Sequence, residues 1–180
     1  MAKAASISTA RSRPFTEREV QHLRPIFGDA IDYAKARIVR GHGGNLIARI
    51  ALTDRGRQIT PAITLGSGIF VHPSLFNEQM SDQLELVCHE ATHIFQYRNA
   101  LPGGILGPVV IAVQSLLKGG ADRAYDVSAV TAETRFDKLG FEQQACVVEG
   151  YIEAGLKRNP ERAAMFAAIL RSSRHGLLAA

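Results

Sequence analysis

The sequence has 180 residues, of which 46 % are hydrophobic and 21 % charged, as expected for one globular domain. Collagen-like, low-complexity and disulfide-stapled classes are excluded, and the two cysteines, Cys88 and Cys146, are expected to be reduced thiols. The formal net charge of +4 is concentrated in residues 1–60, which carry eleven Lys and Arg against five Asp and Glu. These charges follow no nucleic-acid-binding motif, so no nucleic-acid partner is expected.

The N-terminal segment and one apolar stretch indicate where in the cell the protein is expected to be. Residues 1–14 carry three basic side chains without an apolar run of signal-peptide length, which predicts a flexible basic tail and a cytoplasmic location. The uncharged stretch 99–117 is interrupted by prolines and glycines, so that only residues 105–117 could form a continuous helix. A helix of that length is too short to cross a bilayer, so we expect no transmembrane span.

The first half of the chain predicts one helix followed by short strands. Thr16 and Glu19 have the spacing of a capping box, which predicts a helix over 17–27. Three short β-prone runs follow it in the sequence: Ala36–Val39, Leu46–Leu52 and Ile63–Val71. The run Ile63–Val71 is predicted to be a strand, or a hairpin that turns at its internal glycines.

The second half predicts helices. Ser81 is expected to cap a helix that ends near Asn99. One face of that helix carries apolar or small side chains at helical spacing: Leu84, Val87, Cys88, Ala91 and Phe95. Further helices are predicted at 105–117, 141–156 and 160–174. The chain therefore predicts a single α+β domain over 15–174 with a small antiparallel sheet, followed by a C-terminal tail, 175–180.

Residues 89–93 read His-Glu-Ala-Thr-His, the pattern H-E-x-x-H, on the predicted helix. His89 and His93 are one turn apart, so both imidazoles can share one cation. Glu90 lies close enough to act as the general base on a metal-bound water without binding the metal itself. Zinc would lower the pKa of that water and polarise a substrate carbonyl.

A catalytic zinc needs a third protein ligand. Glutamates on the predicted helix 141–156 are better placed for this than His175, which lies in the tail. Glu142, Glu149 and Glu153 share one face of that helix, with Cys146 among them. Spacing alone does not choose between a ligand and a solvated acidic stripe.

The motif, followed by Glu142-Gln143-Gln144-Ala145, resembles the gluzincin pattern H-E-x-x-H…E-x-x-A-D of membrane-associated zinc peptidases. This resemblance implies that Glu142 is the third zinc ligand. Cys146 stands where the pattern has an aspartate that braces the site. Asp126 and Glu149 are the candidates to replace that aspartate.

A broader resemblance covers residues 15–151. The segments Ile63–Val71, Leu86–Gln96 and Glu142–Ala145 are similar to the zinc metallopeptidase domain associated with extracellular contractile injection systems and Vgr-related bacterial proteins. This implies a zincin-like minimal peptidase with a zinc cofactor, a peptide or protein substrate and a partner in an injection apparatus that could export it. The strand Ile63–Val71 would then offer backbone groups to an extended peptide.

Other roles stay open at this point. Tyr125, Tyr151 and His175 are candidates to stabilise the negative charge that develops on the substrate carbonyl, and Tyr125 is preferred because it precedes the Glu142 helix. The function predicted from the sequence is a zinc-dependent metallopeptidase. The alternatives are a zinc-binding structural or adaptor domain without turnover, and an apolar-binding module in which the motif is incidental.

Overall fold

The computed structural model describes residues 12–52, 61–76, 83–99 and 125–178. The predicted cap Ser81 and the predicted helix 105–117 lie outside the described residues. None of the helices in the described part of the chain is both long and apolar enough to cross a membrane.

Four strands in the described residues form one sheet, in the order β1-β2-β4-β3. They are β1 (Ser12–Arg13), β2 (Arg37–Arg40), β3 (Ala62–Leu65) and β4 (Gly68–Val71). β1 is antiparallel to β2 and β3 is antiparallel to β4, but β2 and β4 run parallel. The α+β class is confirmed, whereas the prediction of an antiparallel sheet is wrong at its central pair.

A helix, rather than the predicted strand, follows β2 in the chain. The β-prone run Leu46–Leu52 was predicted as a strand, but Leu46–Ala51 is a helix, α2. Asn45 starts this helix, because its side-chain oxygen accepts the backbone N–H of Ala48. β2 and β4 are parallel because the chain returns between them through β3, which runs antiparallel to β4 and lies on its outer side in the sheet.

The run Ile63–Val71 is a hairpin. β3 and β4 are joined by the two residues Gly66 and Ser67, and Gly66 has a φ of +62°, a conformation that glycine adopts without strain. Ala62 and Thr64 of β3 are buried, and β3 packs against the motif helix. The hairpin therefore places one strand directly beside the candidate site.

Both ends of the predicted domain extend into the segments assigned as tails. Ser12 and Arg13 form β1, and the guanidinium of Arg13 pairs with the buried carboxylate of Glu19 at 2.7 Å. Glu19 also completes the capping box with Thr16 at the start of α1 (Glu17–Phe27), as predicted. At the other end, Leu177 is fully buried in the core.

Three long helices complete the fold: α3 (Leu84–Asn99), α4 (Phe141–Leu156) and α5 (Pro160–Arg171), with a 3-10 turn at Phe136–Lys138 before α4. α3 packs most extensively on α4 and also contacts β3 and α1. The apolar stripe predicted for α3 lies in the core. The final helix ends three residues before the predicted Arg174.

Close packing between α4 and α5 generates a prediction. A Cβ placed on Gly150 would lie 2.6 Å from a ring carbon of Phe166, whereas one on Gly155 of the same helix meets nothing within 4 Å in the described residues. We expect Gly150→Ala to lower the free energy of unfolding by about 1–3 kcal/mol through overpacking.

The matched control is Gly155→Ala, which is expected to raise that free energy by about 0.4–1 kcal/mol because it restricts the unfolded chain. Urea unfolding measures both. Equal effects of the two substitutions would contradict the packing described for α4 and α5.

Candidate metal centre

α3 carries the H-E-x-x-H motif into the interior of the protein. It lies between β3 and α4, so that residues 87–97 are all buried. The side chains of His89 and His93 are 9 % and 8 % exposed. Their rings stand edge to face with centroids 5.2 Å apart, as the one-turn spacing predicts.

Glu142, in the first turn of α4, faces both imidazoles. Its Oε2 atom lies 3.4 Å from Nε2 of His89 and 3.3 Å from Nε2 of His93. This oxygen is buried and has no hydrogen-bond partner among the described residues. The structure thus brings together the three predicted ligands, and their donor atoms lie within 4.8 Å of one another.

A chain of amide hydrogen bonds fixes the orientation of His93. Gln144 donates its Nε2 to the carbonyl oxygens of Phe136 and Leu139, so its Oε1 is the acceptor for Nε2 of Gln96. Gln96 then presents its own Oε1 to Nδ1 of His93 at 2.8 Å. Nδ1 must therefore carry a proton, so Nε2, which faces Glu142, is the nitrogen available to a cation.

Glu149 fixes the orientation of His89 in the same way. Its Oε2 lies 2.9 Å from Nδ1 of His89, and a proton on Nδ1 again leaves Nε2 free for a cation. Asp126, the other candidate, is exposed and accepts the backbone N–H of Ser128 instead. Of the two candidates to replace the missing aspartate, the structure therefore places Glu149 at the site.

The pKa shifts show how strongly this cluster favours positive charge. Burial raises the pKa of Glu142, but its contacts with His89 and His93 outweigh burial and lower the pKa to about 2. Burial lowers the pKa of both imidazoles, yet the contact of His89 with Cys146 and the carboxylates near both rings raise both pKa values overall. Without a cation, protons on the imidazoles balance the charge of Glu142, and a bound cation would replace them.

Glu90, the predicted general base, is buried beside these residues. Its Oε2 accepts a hydrogen bond of 2.7 Å from the Thr64 hydroxyl of β3. The backbone of Thr64 is held in turn by the Tyr97 hydroxyl, which donates to its carbonyl oxygen at 3.0 Å. The Oε1 atom of Glu90 has no hydrogen-bond partner among the described residues.

Sequence analysis missed two supporting residues, Thr64 and Gln96. Thr64 is a polar residue on the buried face of β3, so strand alternation offered a signal for it. Gln96 lies one turn after His93 on the same helix face, which is the position of a residue that can orient the second imidazole. Its partner Gln144 lies 48 residues further along the chain, and no local pattern predicts that contact.

The three candidates for charge stabilisation lie in different surroundings. Tyr125 stacks on the His89 ring at 6.0 Å, and burial raises the pKa of its hydroxyl above the ordinary value. His175 packs edge-on against Phe95 at 5.4 Å. Tyr151 is half-buried against the core. Tyr125 is thus the one of the three that the described contacts place beside the motif.

The donor set fits a catalytic zinc ion. Two imidazole nitrogens and one carboxylate oxygen are the ligands of many catalytic zinc sites, which leave a fourth position for water or substrate. The buried Oε2 of Glu142, without a hydrogen-bond partner in the described residues, is an observation that such a cation explains. Glu149 and Gln96 supply the outer hydrogen bonds that metal-binding histidines normally have.

Comparisons with known proteins bear on the fold and on the motif. Residues 30–101, less than half of the chain, match the family model of the eCIS core domain. The matched range includes the H-E-x-x-H motif and ends before α4. No curated protein matches the chain.

One solved structure is similar over most of the chain. It is the effector domain of VgrG2b from Pseudomonas aeruginosa, with a TM-score of 0.58 and 20 % sequence identity, covering 92 % of this chain and 83 % of that domain. The two folds are similar. At 20 % identity this similarity shows the fold alone, and the support for an association with contractile injection systems comes from the eCIS core match.

Because the three ligand atoms converge on one point, we expect zinc binding to depend on Glu142. Glu142→Gln replaces a charged ligand by a neutral amide of the same size and is expected to weaken zinc binding at least about tenfold, since even outer partners of a ligand are worth that much. Equilibrium dialysis of the full chain against buffered zinc measures this change.

The matched control is Glu153→Gln on the same helix, because Glu153 pairs with Lys157 at the surface. Its zinc affinity is expected to equal that of the wild type. Unchanged affinity in Glu142→Gln would remove Glu142 from the ligand set.

Proposed function

We propose that this chain is a zinc-dependent metallopeptidase of gluzincin type with a zincin-like fold, acting in association with a bacterial contractile injection system. The observation that carries the proposal is the convergence of His89, His93 and Glu142 on one buried point, with the buried carboxylate of Glu90 close enough to act electrostatically on both imidazoles. His89 and His93 would hold the metal through Nε2, and Glu142 through Oε2.

In the proposed hydrolysis of a peptide bond, the metal and the protein would supply different chemical groups. When bound, zinc would acidify a water molecule and polarise the carbonyl group of a peptide bond. The protein supplies a fixed base, because the Thr64 hydroxyl holds Oε2 of Glu90 and leaves Oε1 for the attacking water. Glu90 accepts the proton of that water and returns it to the nitrogen of the leaving amine.

The surroundings of the site support a peptide substrate. β3 lies at the end of the sheet in the described residues, and its buried face reaches the site through Thr64. An extended peptide that paired with this edge would pass close to Glu90. Tyr125, stacked on His89, is the residue we assign to stabilise negative charge on the substrate carbonyl oxygen.

The biological setting of the proposal rests on the two comparisons. The match to the eCIS core domain and the structural similarity to the VgrG2b effector domain favour a role as part of an injected or injection-associated protein. A zinc-binding adaptor without turnover would have the same three ligands, so the distinction between these functions depends on Glu90.

Glu90→Gln tests the proposed function. The amide cannot accept the proton of the attacking water, so cleavage of a peptide library is expected to fall by at least about 10²-fold, while zinc content stays near one ion per chain. Mass spectrometry of the digest and elemental analysis of the protein measure the two quantities.

The control is Glu85→Gln, on the first turn of the same helix and outside the site. It is expected to keep full activity. Wild-type protein that binds zinc but cleaves no peptide would favour the adaptor, and cleavage that survives Glu90→Gln would exclude Glu90 as the base.

The hydrogen bond from Thr64 generates a second prediction. Thr64→Val keeps the shape of the side chain but removes the hydroxyl that holds Glu90, so turnover is expected to fall by about tenfold or more with unchanged zinc content. Thr64→Ser retains the hydroxyl and should restore most of the turnover. Equal loss in both variants would show that packing, rather than the hydrogen bond, is responsible.

A further inference from the structure

The imidazole of His89 belongs to two clusters of potential metal ligands. Besides the set with His93 and Glu142, its donor atoms lie within 4.8 Å of those of Cys146 and Glu149. The Nδ1 atom faces this second set, since it is 2.9 Å from Oε2 of Glu149. We call this set the outer cluster, and the set with His93 and Glu142 the inner cluster.

The sequence of α4 explains why both clusters exist. Glu142, Cys146 and Glu149 occur at positions i, i+4 and i+7, so they share the helix face that packs on α3. His89 projects from α3 against this face. Its Nε2 meets Glu142 and its Nδ1 meets Glu149.

The two clusters differ in their access to solvent. The three inner side chains are each about a tenth exposed or less. In the outer cluster, Cys146 is half-buried and the side chain of Glu149 is 42 % exposed. A cation arriving from solution therefore meets the outer donors directly.

We propose that Nδ1 of His89, Sγ of Cys146 and a carboxylate oxygen of Glu149 form a second cation site, selective for a thiophilic divalent cation such as zinc or cadmium. Thiolate, imidazole and carboxylate are the three side-chain ligand types of zinc, and the thiolate disfavours magnesium and calcium. This inference shares His89 with the proposed zinc centre but does not require that centre to be catalytic.

The shared imidazole makes the two sites antagonistic. A neutral imidazole has one lone pair, and when Nε2 binds the inner cation the proton stays on Nδ1, donated to Glu149. An outer cation needs the lone pair of Nδ1, so that proton moves to Nε2, and the Cys146 thiol releases its proton to solvent. His89 is then lost to the inner site, so excess cation is expected to displace the inner cation and, if the proposed function holds, to inhibit peptide cleavage.

Cadmium titration of the metal-free full-length chain tests the second site, because a cadmium–thiolate bond produces an ultraviolet charge-transfer band. The wild type is expected to develop this band at excess cadmium, and Cys146→Ser is expected to lose it. Cys88→Ala is the matched control, since Cys88 is fully buried in the core, and it should keep the band. Glu149→Gln should keep the band but need at least tenfold more cadmium.

Two results would overturn the second site: a wild type without the band, or a Cys146→Ser variant that retains it. Glu142→Gln tests the antagonism. Because this substitution weakens the inner site, the charge-transfer band is expected to appear at a lower cadmium concentration than in the wild type. An unchanged titration would contradict the antagonism. Zinc content of Cys146→Ser reports the inner site separately. Its loss would count against the proposed zinc centre and not against the outer one.

Discussion

The candidate metal site, and the packing of the helices and strand around it, depend on one electrostatic constraint. Two imidazole nitrogens each lie within about 3.4 Å of the same carboxylate oxygen in a nearly dry interior. Such groups are costly to bury together unless positive charge lies among them. The depressed pKa of Glu142 and the raised pKa values of both histidines are consequences of this constraint. A divalent cation would satisfy it with ligands that are already in place.

The fold supplies this constraint through the position of α3. Because this helix is covered by β3 on one side and α4 on another, His89, Glu90 and His93 each meet a partner from a distant part of the chain. β3 brings Thr64 to Glu90, and α4 brings Glu142 and Glu149 to His89. The connection between α3 and α4 through Gln96 and Gln144 orients the second histidine. The same contacts between α3 and α4 therefore stabilise the packing of the two helices and fix the geometry of the site.

Local signals in the sequence predicted the elements that are determined locally. The capping box at Thr16 and the apolar period of α3 gave correct helices, and the motif spacing gave the correct pair of imidazoles. The prediction of a strand at Leu46–Leu52 is wrong because the side-chain cap at Asn45 favours a helix over the β propensity of the run. The parallel β2–β4 pair and the choice between Asp126 and Glu149 depend on contacts between distant segments, which spacing does not encode.

The central claim is that one zinc ion binds between α3 and α4 through the inner cluster. Anomalous diffraction at the zinc edge, from crystals of the full chain loaded with one equivalent of zinc, tests this claim most directly. The account predicts a single strong peak about 2.0–2.2 Å from Nε2 of His89, Nε2 of His93 and Oε2 of Glu142. A peak confined to other residues, or no peak at this position in zinc-loaded protein, would contradict the account.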